Sequence, residues 1–235
     1  MPGKFYTVSR KTALHMEDRK IRNIIWDWNG TLLNDINICI ECMNVMLTKR
    51  AMEQLTADRY REVFTFPVKS YLADIGFDFS KEPFEIPADE FVVLYNTKFP
   101  EADLFSEVRP GLHEFRKQGF SQFVLSAQEE SLLLRTIDHY GLTGFFDAIT
   151  GISDNYAHSK AETGIRMMGD LGLVPGETIM IGDTVHDFEV ASLLGISCVL
   201  VARGHQSAAR LLSTGAPVIE NFSALPAYLN NNHHP

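Results

Sequence analysis

Four stretches of this chain carry side chains suited to phosphate chemistry, in or beside short apolar segments. The first is the run Ile24-Ile25-Trp26-Asp27-Trp28-Asn29-Gly30-Thr31, and the others carry Ser126, Lys160, and Asp183 with Asp187. An aspartate such as Asp27 can attack phosphorus as a nucleophile and can also bind a hard cation. Two carboxylates that hold Mg²⁺, a hydroxyl that bonds a phosphoryl oxygen and a lysine that offsets charge would together form a complete phosphoryl-transfer site.

Each of these residues also has an ordinary structural explanation. Asp27 could be a plain strand-to-turn aspartate, and Ser126 could satisfy a turn. Asp187 lies three residues after Thr184 and could cap a helix that starts there. Lys160 could be a solvated surface lysine. A cation in the first turn of a helix opposes the helix dipole, however, and a bound anion would remove that conflict.

The elements that must position these side chains follow from the hydrophobic pattern. Residues 24–26 are too few for a helix, so Asp27 is predicted at the carboxyl end of a buried strand, the edge at which open α/β sheets bind ligands. From Arg109 onward, helices alternate with short apolar strands, which is typical of βαβ units around a parallel sheet. The later strands are predicted at 123–125, 145–149, 179–181, 198–201 and 218–219. The helices are predicted at 110–119, 129–140, 159–171, 206–212 and 224–229, with a further one closed by Gly195, and Ser159 to Glu162 match a capping box.

The block at 36–105 has a different pattern, with no convincing alternating strand. Helices are predicted at 36–50, 56–64, 67–74 and 88–98, with a loop at 76–87, and Asp35 is the expected N-cap of the first helix. We interpret the block as an inserted helical cap that could act as a lid, with hinges near Asp35 and Phe105. The predicted organisation is a polar lead-in at 1–20, a core formed by 21–35 and 106–235, and a cap at 36–105.

Composition narrows the class of protein. The chain has 235 residues, 45% of them hydrophobic, which suits one large domain or a core with an insert. A net charge of -9 argues against a nucleic-acid partner. No stretch has the length of a membrane span or the pattern of a secretory signal, so no membrane partner is expected. The three cysteines, Cys39, Cys42 and Cys198, offer no disulfide framework and fit a reducing cytoplasm. Nothing indicates an oligomeric state.

Taken together and in order, these motifs resemble those of the haloacid dehalogenase-like hydrolase superfamily. The motifs that carry the resemblance are Asp27-Trp28-Asn29-Gly30-Thr31, Ser126, Lys160 and Gly182-Asp183-Thr184-Val185-His186-Asp187. The predicted insert is similar to the helical cap of phosphoglycolate phosphatases and β-phosphoglucomutase. The resemblance spans most of the chain, and it implies a Rossmann-like α/β core, a doubly wound parallel sheet, with an inserted all-helical cap domain.

The resemblance also implies roles for individual residues. Asp27 would be the nucleophile of a Mg²⁺-dependent phosphatase that acts on a small phosphorylated metabolite through an aspartyl-phosphate. Ser126 and Lys160 would hold the phosphoryl group. Mg²⁺ would be bound by Asp27, Asp183 and the main-chain carbonyl of Asn29, with Asp187 supporting Lys160 and the metal site. The residues expected to bind the substrate are Trp28, Gly30, Thr31, Ala127 and Lys69.

One position departs from the pattern of the phosphatase members. These usually carry a second aspartate two residues after the nucleophile, which protonates the leaving oxygen and later deprotonates water, and here that position is Asn29. An amide cannot do this work, although its carbonyl can still bind a metal. Loss of such a group typically lowers the rate on the order of 10²- to 10⁴-fold. Binding should therefore survive better than turnover.

Three hypotheses follow from Asn29. The favoured one is a phosphatase helped by a substrate with a good leaving group, by water or by another acid such as His186, and for it Asn29→Asp should raise the rate. The second resembles phosphonoacetaldehyde hydrolase, in which a cap lysine, here Lys69, forms a Schiff base with the substrate during carbon–phosphorus cleavage. In the third, the domain only binds a phosphorylated ligand or a partner. The remaining histidines considered, His113, His139, His158 and His205, are assigned no role.

Overall fold

The structure, a computed structural model, describes residues 20–153 and 160–231. The strands are β1 (Asn23–Trp26), β2 (Leu33–Asn34), β3 (Asp103–Leu104), β4 (Ser121–Glu129), β5 (Ala148–Ile152), β6 (Thr178–Gly182), β7 (Ser197–Val201) and β8 (Val218–Ile219). The helices are α1 (Ile36–Lys49), α2 (Ala57–Val63), α3 (Val68–Asp74), α4 (Glu85–Lys98), α5 (Val108–Lys117), α6 (Glu130–His139), α7 (Lys160–Asp170), α8 (Val185–Leu194), α9 (Ala208–Leu212) and α10 (Leu225–Asn231). The predicted lead-in up to residue 19 and the capping box at Ser159 lie outside the described residues.

The core of the described chain is a six-stranded sheet in the order β5-β4-β1-β6-β7-β8. The pairs in this sheet are parallel, and Trp26 at the end of β1 is in register with Val124 of β4 and Ile181 of β6. The carboxyl ends of these three strands therefore meet at one edge. Successive residues of β1 point to opposite faces, so Trp26 joins one hydrophobic cluster and Ile25 joins the other.

The helices α1 to α4 lie between β2 and β3, and we call them the cap. Strands β2 and β3 pair with each other antiparallel, Leu33 with Leu104, at the point where the chain leaves the core and returns to it. Buried side chains of α1 pack toward α4 and belong to the same hydrophobic cluster as Trp26. The predicted fold class, a Rossmann-like α/β core with an inserted helical cap, is confirmed.

Three predicted element boundaries are wrong. Strand β4 continues to Glu129, because its pairing with β5 shifts register after Leu125 and the chain stays extended through the irregularity. Residues predicted to start β5 instead form a 3₁₀ turn (Thr143–Phe145), and the strand begins at Ala148. Helix α4 begins within the predicted loop, and Pro87 is tolerated there because the first turn of a helix leaves its N–H groups unpaired.

No helix of the described chain is long and apolar enough to cross a bilayer.

Candidate active site

Asp27 stands directly after β1, whose last three residues are fully buried. Its main-chain N–H donates to the Ile181 carbonyl at 2.8 Å, which ties it to the neighbouring strand β6. The chain then turns sharply, with the amides of Leu32 and Leu33 donating back to the Trp28 carbonyl. Gly30 has a φ of 71°, and a Cβ there would collide with the carboxylate of Asp183, so only glycine suits this turn.

Lys160 connects two of the predicted site carboxylates. Its Nζ donates to Oδ1 of Asp27 and, at 2.5 Å, to Oδ1 of Asp187. The side chain is buried, which excludes the alternative of a solvated surface lysine. Oδ2 of Asp187 accepts hydrogen bonds from the hydroxyl of Thr184 at 2.7 Å and from its amide at 3.0 Å. Asp187 therefore both caps α8 and pairs with Lys160.

Asp183 is the third carboxylate of the cluster and is fully buried. Its Oδ1 accepts a hydrogen bond from Thr31 Oγ1 at 2.9 Å, and its Oδ2 accepts one from the main-chain N–H of His205 at 2.6 Å. Gly204 lies against this carboxylate so closely that a Cβ would collide with it. Asp183 is thus fixed by two loops that follow different strands of the sheet.

The donor set of this cluster fits a hard divalent cation. One oxygen from each of Asp27, Asp183 and Asp187 lies within 4.8 Å of the others. Burial, reinforced by the charges of Asp187 and Asp183, outweighs Lys160 and raises the pKa of Asp27 to about 8. Burial and the charge of Asp187 likewise raise the pKa of Asp183 to about 6, against the opposing charge of His205. Oxygen ligands of this kind suit Mg²⁺, and the charge of such a cation would offset the repulsion between carboxylates that helps to raise both pKa values.

The other predicted phosphate-binding and substrate-binding residues fall into two groups. Ser126 is buried, and its Oγ accepts the amide of Gln128 at 3.1 Å, as the turn explanation requires. Ser126 and Ala127 also line the cavity described below. Trp28, Gly30 and Thr31 belong to the turn after β1, and none of the three lines the cavity. Trp28 is buried against Tyr140.

Lys69 lies apart from all of these residues. It is exposed on α3, and its Nζ lies 5.6 and 5.7 Å from the ring centres of Phe79 and Phe84. A surface lysine commonly packs over aromatic rings in this way. Lys69 does not line the cavity, and among the described residues that do, Lys160 is the only lysine. The geometry does not support a Schiff base between Lys69 and a substrate at Asp27.

Asp35 has a different role from the predicted one. It occupies the N-cap position of α1, but its side chain makes no capping hydrogen bond. The carboxylate turns back toward the sharp turn after β1, where it accepts hydrogen bonds from Asn29 Nδ2 at 2.7 Å, from Gly30 N at 3.0 Å and from the Tyr95 hydroxyl at 2.8 Å. Asn29 Nδ2 also donates to the Tyr95 hydroxyl. The amide that replaces the usual acid is therefore bound to a neighbouring carboxylate.

His205, to which the sequence assigned no role, completes this second cluster. Its Nε2 lies 3.3 Å from Asp35 Oδ1, and its Nδ1 lies 2.8 Å from the Tyr60 hydroxyl. Burial opposes the charged imidazolium, but the Asp35 carboxylate outweighs it and raises the pKa of His205 to about 9. The charge of His205 in turn overcomes the effect of burial and lowers the pKa of Asp35. A signal for this role was present in the sequence, because His205 follows strand β7 closely and so lies at the ligand-binding edge of the sheet.

Both clusters face one cavity of about 220 Å³ between the sheet edge and the cap. Asp27, Asn29, Ser126, Lys160 and His186 line its core side, which we call the core wall. The opposite side, which we call the cap wall, is mainly aromatic, and its rings include Tyr60, Phe64, Phe66, Tyr71, Phe91 and Tyr95. A charged wall thus faces an apolar one across a space large enough for a small molecule.

A Rossmann-like sheet with a carboxylate cluster at its carboxyl edge, beneath a helical cap, defines a capped α/β enzyme, and the cluster could hold a metal ion. The family model of the haloacid dehalogenase-like hydrolases matches residues 24–201. The chain belongs to this family, and the resemblance drawn from its motifs is confirmed.

Relatives with known names cover most of the chain at low identity. A phosphoglycolate phosphatase of Aquifex aeolicus is 24% identical over 79% of this chain and 86% of its own length. The tyrosine-protein kinase PtkA of Mycobacterium tuberculosis is 24% identical over 86% of this chain and 69% of its own length. The crystal structure of a predicted phosphatase from Clostridium acetobutylicum superposes with a TM-score of 0.78 and 19% identity, over 90% of this chain and 99% of that one. These likenesses support the fold.

Proposed function

We propose that this protein is a Mg²⁺-dependent phosphatase that hydrolyses a small phosphate monoester through an aspartyl-phosphate on Asp27. The observation that carries the proposal is the contact of buried Lys160 with both Asp27 and Asp187, at the core wall of a cavity of substrate size. An anionic nucleophile and an anionic substrate repel each other, and a buried cation beside the nucleophile offsets that repulsion. The name of the Aquifex aeolicus relative agrees with the reaction class.

In the first step, a carboxylate oxygen of Asp27 forms a bond to phosphorus while the ester P–O bond breaks, and its electron pair leaves with the ester oxygen. Lys160 stabilises the negative charge on the phosphoryl oxygens, and the hydroxyl of Ser126 can donate to one of them. In the second step, water adds to phosphorus and the Asp27 carboxylate is released.

Mg²⁺ would be held by Asp27, Asp183 and the main-chain carbonyl of Asn29, and when bound it would supply positive charge against the phosphoryl oxygens. Asp187 would act mainly through Lys160, with which it forms a buried ion pair, and through Thr184, to which it is hydrogen-bonded. Because Mg²⁺ would supply this positive charge, its removal should abolish turnover.

Among the described residues that line the cavity, no strong acid is free to protonate the leaving oxygen: His205 is charged, but its Nε2 pairs with Asp35 and its Nδ1 lies 2.8 Å from the Tyr60 hydroxyl. Asn29 carries an amide, and burial, with the nearby charge of Lys160, lowers the pKa of His186, so this imidazole is neutral near neutral pH. A domain that binds a phosphorylated ligand without turnover is therefore the second candidate, since Asn29 impairs catalysis more than binding.

Phosphate release from p-nitrophenyl phosphate, with Mg²⁺ or with EDTA, tests the proposal. We expect release only with Mg²⁺, and an acid-quenched digest should contain a phosphorylated peptide that includes Asp27. Asp27→Asn should abolish both signals, whereas the matched control Asp170→Asn, at an exposed position on α7, should leave both unchanged. Turnover that persists in Asp27→Asn would rule out the aspartyl-phosphate. Binding of the ester without any release would favour the second candidate.

A further inference from the structure

The cap wall offers aromatic surface but little charge. Among the described residues that line the cavity, the basic side chains are Lys160, His186 and His205, and none of them lies on the cap. The arginines of α2 do not reach the cavity: Arg59 is exposed, and Arg61 Nε donates to the Gly204 carbonyl at 3.2 Å. A second anionic group on the substrate, such as the carboxylate of phosphoglycolate, would be buried here without a free cation, because His205 is already paired with Asp35. Burial of an unpaired carboxylate is strongly unfavourable.

The rings of the cap wall are arranged as a binding surface for another ring. Phe64 meets Phe66 edge-on at 5.4 Å between ring centres and Tyr71 at 5.3 Å. Phe66 stacks on His186 at 4.6 Å, so the aromatic surface continues down to the core wall. Aromatic pairs in offset or edge-to-face arrangements are favourable beyond the burial of area. A ring on the substrate would find such partners.

One buried polar atom of the cap wall is left for a ligand. Tyr71 is 2% exposed and lines the cavity, and its hydroxyl has no hydrogen-bond partner among the described residues. A buried hydroxyl without a partner is costly, and a polar atom of a bound molecule would remove that cost. The chemistry of this wall suits a neutral aromatic group with a small polar substituent.

Asn29 imposes an independent requirement on the same molecule. Because no strong acid is ready to protonate the leaving oxygen, this oxygen must depart as an anion. A phenol such as the tyrosine side chain has a pKa of about 10. An alkoxide is a far stronger base, because the pKa of its parent alcohol is comparable with that of water, about 15.7. Departure without protonation is therefore feasible for a phenoxide and very slow for an alkoxide.

From these two observations we infer that the substrate is an aryl phosphate, the phosphate monoester of a neutral phenol. This inference rests on the proposed phosphatase activity and names its substrate class. Asp27 forms its bond to phosphorus as the P–O(aryl) bond breaks, and the electron pair remains on the phenoxide, which then takes a proton from solvent. In the second step, the oxygen of water bonds to phosphorus, the bond to Asp27 breaks with its pair on the carboxylate, and the protons of water pass to phosphate and solvent.

Three esters separate the two parts of the inference: phenyl phosphate, benzyl phosphate and phosphoglycolate. Benzyl phosphate keeps the ring but leaves as an alkoxide. We expect phenyl phosphate to exceed benzyl phosphate in kcat by about 10²-fold or more, the range that follows from a missing acid. We expect phosphoglycolate to bind Asp27→Asn at least about 10-fold more weakly than either aromatic ester, in calorimetry with Mg²⁺, because its carboxylate lacks a partner.

Cap variants show whether the aromatic wall is the cause. In the Asp27→Asn background, Phe66→Leu should weaken binding of phenyl phosphate about 3- to 10-fold, in line with the loss of one aromatic pair. Val93→Ala, at an exposed position of α4, is the matched control and should bind like the parent. Circular dichroism of each variant confirms that it is folded. Equal weakening in both variants would overturn the role of the wall.

The two proposals fail in different ways. If phosphoglycolate or benzyl phosphate is hydrolysed with a kcat/KM equal to that of phenyl phosphate, the aryl preference is wrong while the phosphatase stands. If none of the three esters releases phosphate, the proposed phosphatase activity is wrong, and the binding measurements still test the preference for aryl phosphates. Equal affinity of Asp27→Asn for phenyl phosphate and phosphoglycolate would overturn it.

Discussion

The core wall and the cap wall of the cavity differ in what holds their side chains in place. On the core wall, Asp27, Lys160 and Asp187 are buried ions that contact one another and follow strands of one sheet. On the cap wall, rings from short helices pack mainly on other rings, and Tyr71 keeps a hydroxyl without a partner among the described residues. Charge is thus fixed where the reaction needs precision, and adaptable apolar contact lies where a substrate must be selected.

The boundary between the walls is the cluster of Asn29, Asp35 and His205. Here the carboxylate that family members place at residue 29 is absent, and another carboxylate, that of Asp35, lies within hydrogen-bonding distance of the amide. His205 pairs with Asp35 rather than with a phosphoryl group. The cluster satisfies its own charges internally, whereas the core wall has excess negative charge that calls for a cation.

Removal of the buried cation is the strongest way to test this contrast. We expect Lys160→Met to lower kcat/KM at least about 10³-fold, because the charges of Asp27 and substrate would repel each other. It should also lower the free energy of unfolding by roughly 3–5 kcal/mol, since two buried carboxylates lose their partner. Kinetics and urea unfolding measure the two effects.

A matched lysine on the cap surface supplies the control. Lys98 pairs with Glu41 at 2.9 Å, and 55% of the Glu41 side chain is exposed. We expect Lys98→Met to leave the free energy of unfolding and kcat/KM nearly unchanged, as for other surface ion pairs. Similar losses in both lysine variants would show that Lys160 has no special part in the core wall.

Exchange of the two residues at the boundary should produce the next largest effect. The sequence alone predicts that Asn29→Asp raises the rate, but the structure would then bring two carboxylates together at 2.7 Å. We expect Asn29→Asp alone to lower the free energy of unfolding and to increase the rate only slightly. The double variant Asn29→Asp with Asp35→Asn exchanges the two groups, and it should raise kcat on benzyl phosphate about 10²-fold, the usual contribution of a general acid.

The exchange is measured by steady-state kinetics on benzyl and phenyl phosphate. An acid should help the alkyl ester most, so the ratio of the two rates should fall in the double variant. Asp35→Asn alone is the control. If Asn29→Asp alone matches the double variant in rate and stability, then contact with Asp35 does not restrict residue 29.

Two tyrosines of the cap wall allow a smaller comparison. The Tyr95 hydroxyl bonds both Asn29 and Asp35, whereas the Tyr71 hydroxyl has no partner among the described residues. We expect Tyr95→Phe to lower the free energy of unfolding by roughly 1–3 kcal/mol, because it leaves buried groups unpaired. Tyr71→Phe removes a hydroxyl that is buried without such a partner, so it should raise the free energy of unfolding by about 1 kcal/mol. Urea unfolding without ligand compares the two, and equal losses would mean that the Tyr71 hydroxyl is bonded after all.

The pH dependence of stability tests the ion pair of His205 and Asp35. Since the pKa of His205 is raised to about 9, the pair stabilises the fold fully below the unfolded pKa of about 6.5 and loses this contribution as the pH rises through about 9. The difference in free energy of unfolding between the parent and His205→Gln should therefore shrink by roughly 1 kcal/mol or more between about pH 6 and pH 9.5. A difference that stays constant with pH would show that His205 is not charged in the native protein.

The sequence predicted most helices and strands of both the core and the cap, and the reason is local. The periodicity of strands and helices and the glycine turns depend on residues that are close in the sequence. The parallel sheet and the strand before Asp27 could therefore be predicted. The end of β4 could not, because its register shift depends on pairing with β5. The bond from the Gln128 amide to Ser126 is local, in contrast, and the turn explanation of this serine anticipated it.

By itself, the sequence determined which chemical groups are present at the sheet edge and that the usual acid is replaced by Asn29. Only the tertiary structure decided which way side chains point. Lys69 turns outward, Asp35 turns back from its helix, and His205 meets Tyr60, a residue 145 positions away. Such contacts depend on the packing of distant segments, and no local pattern encodes the direction of a side chain relative to an element that is remote in the chain.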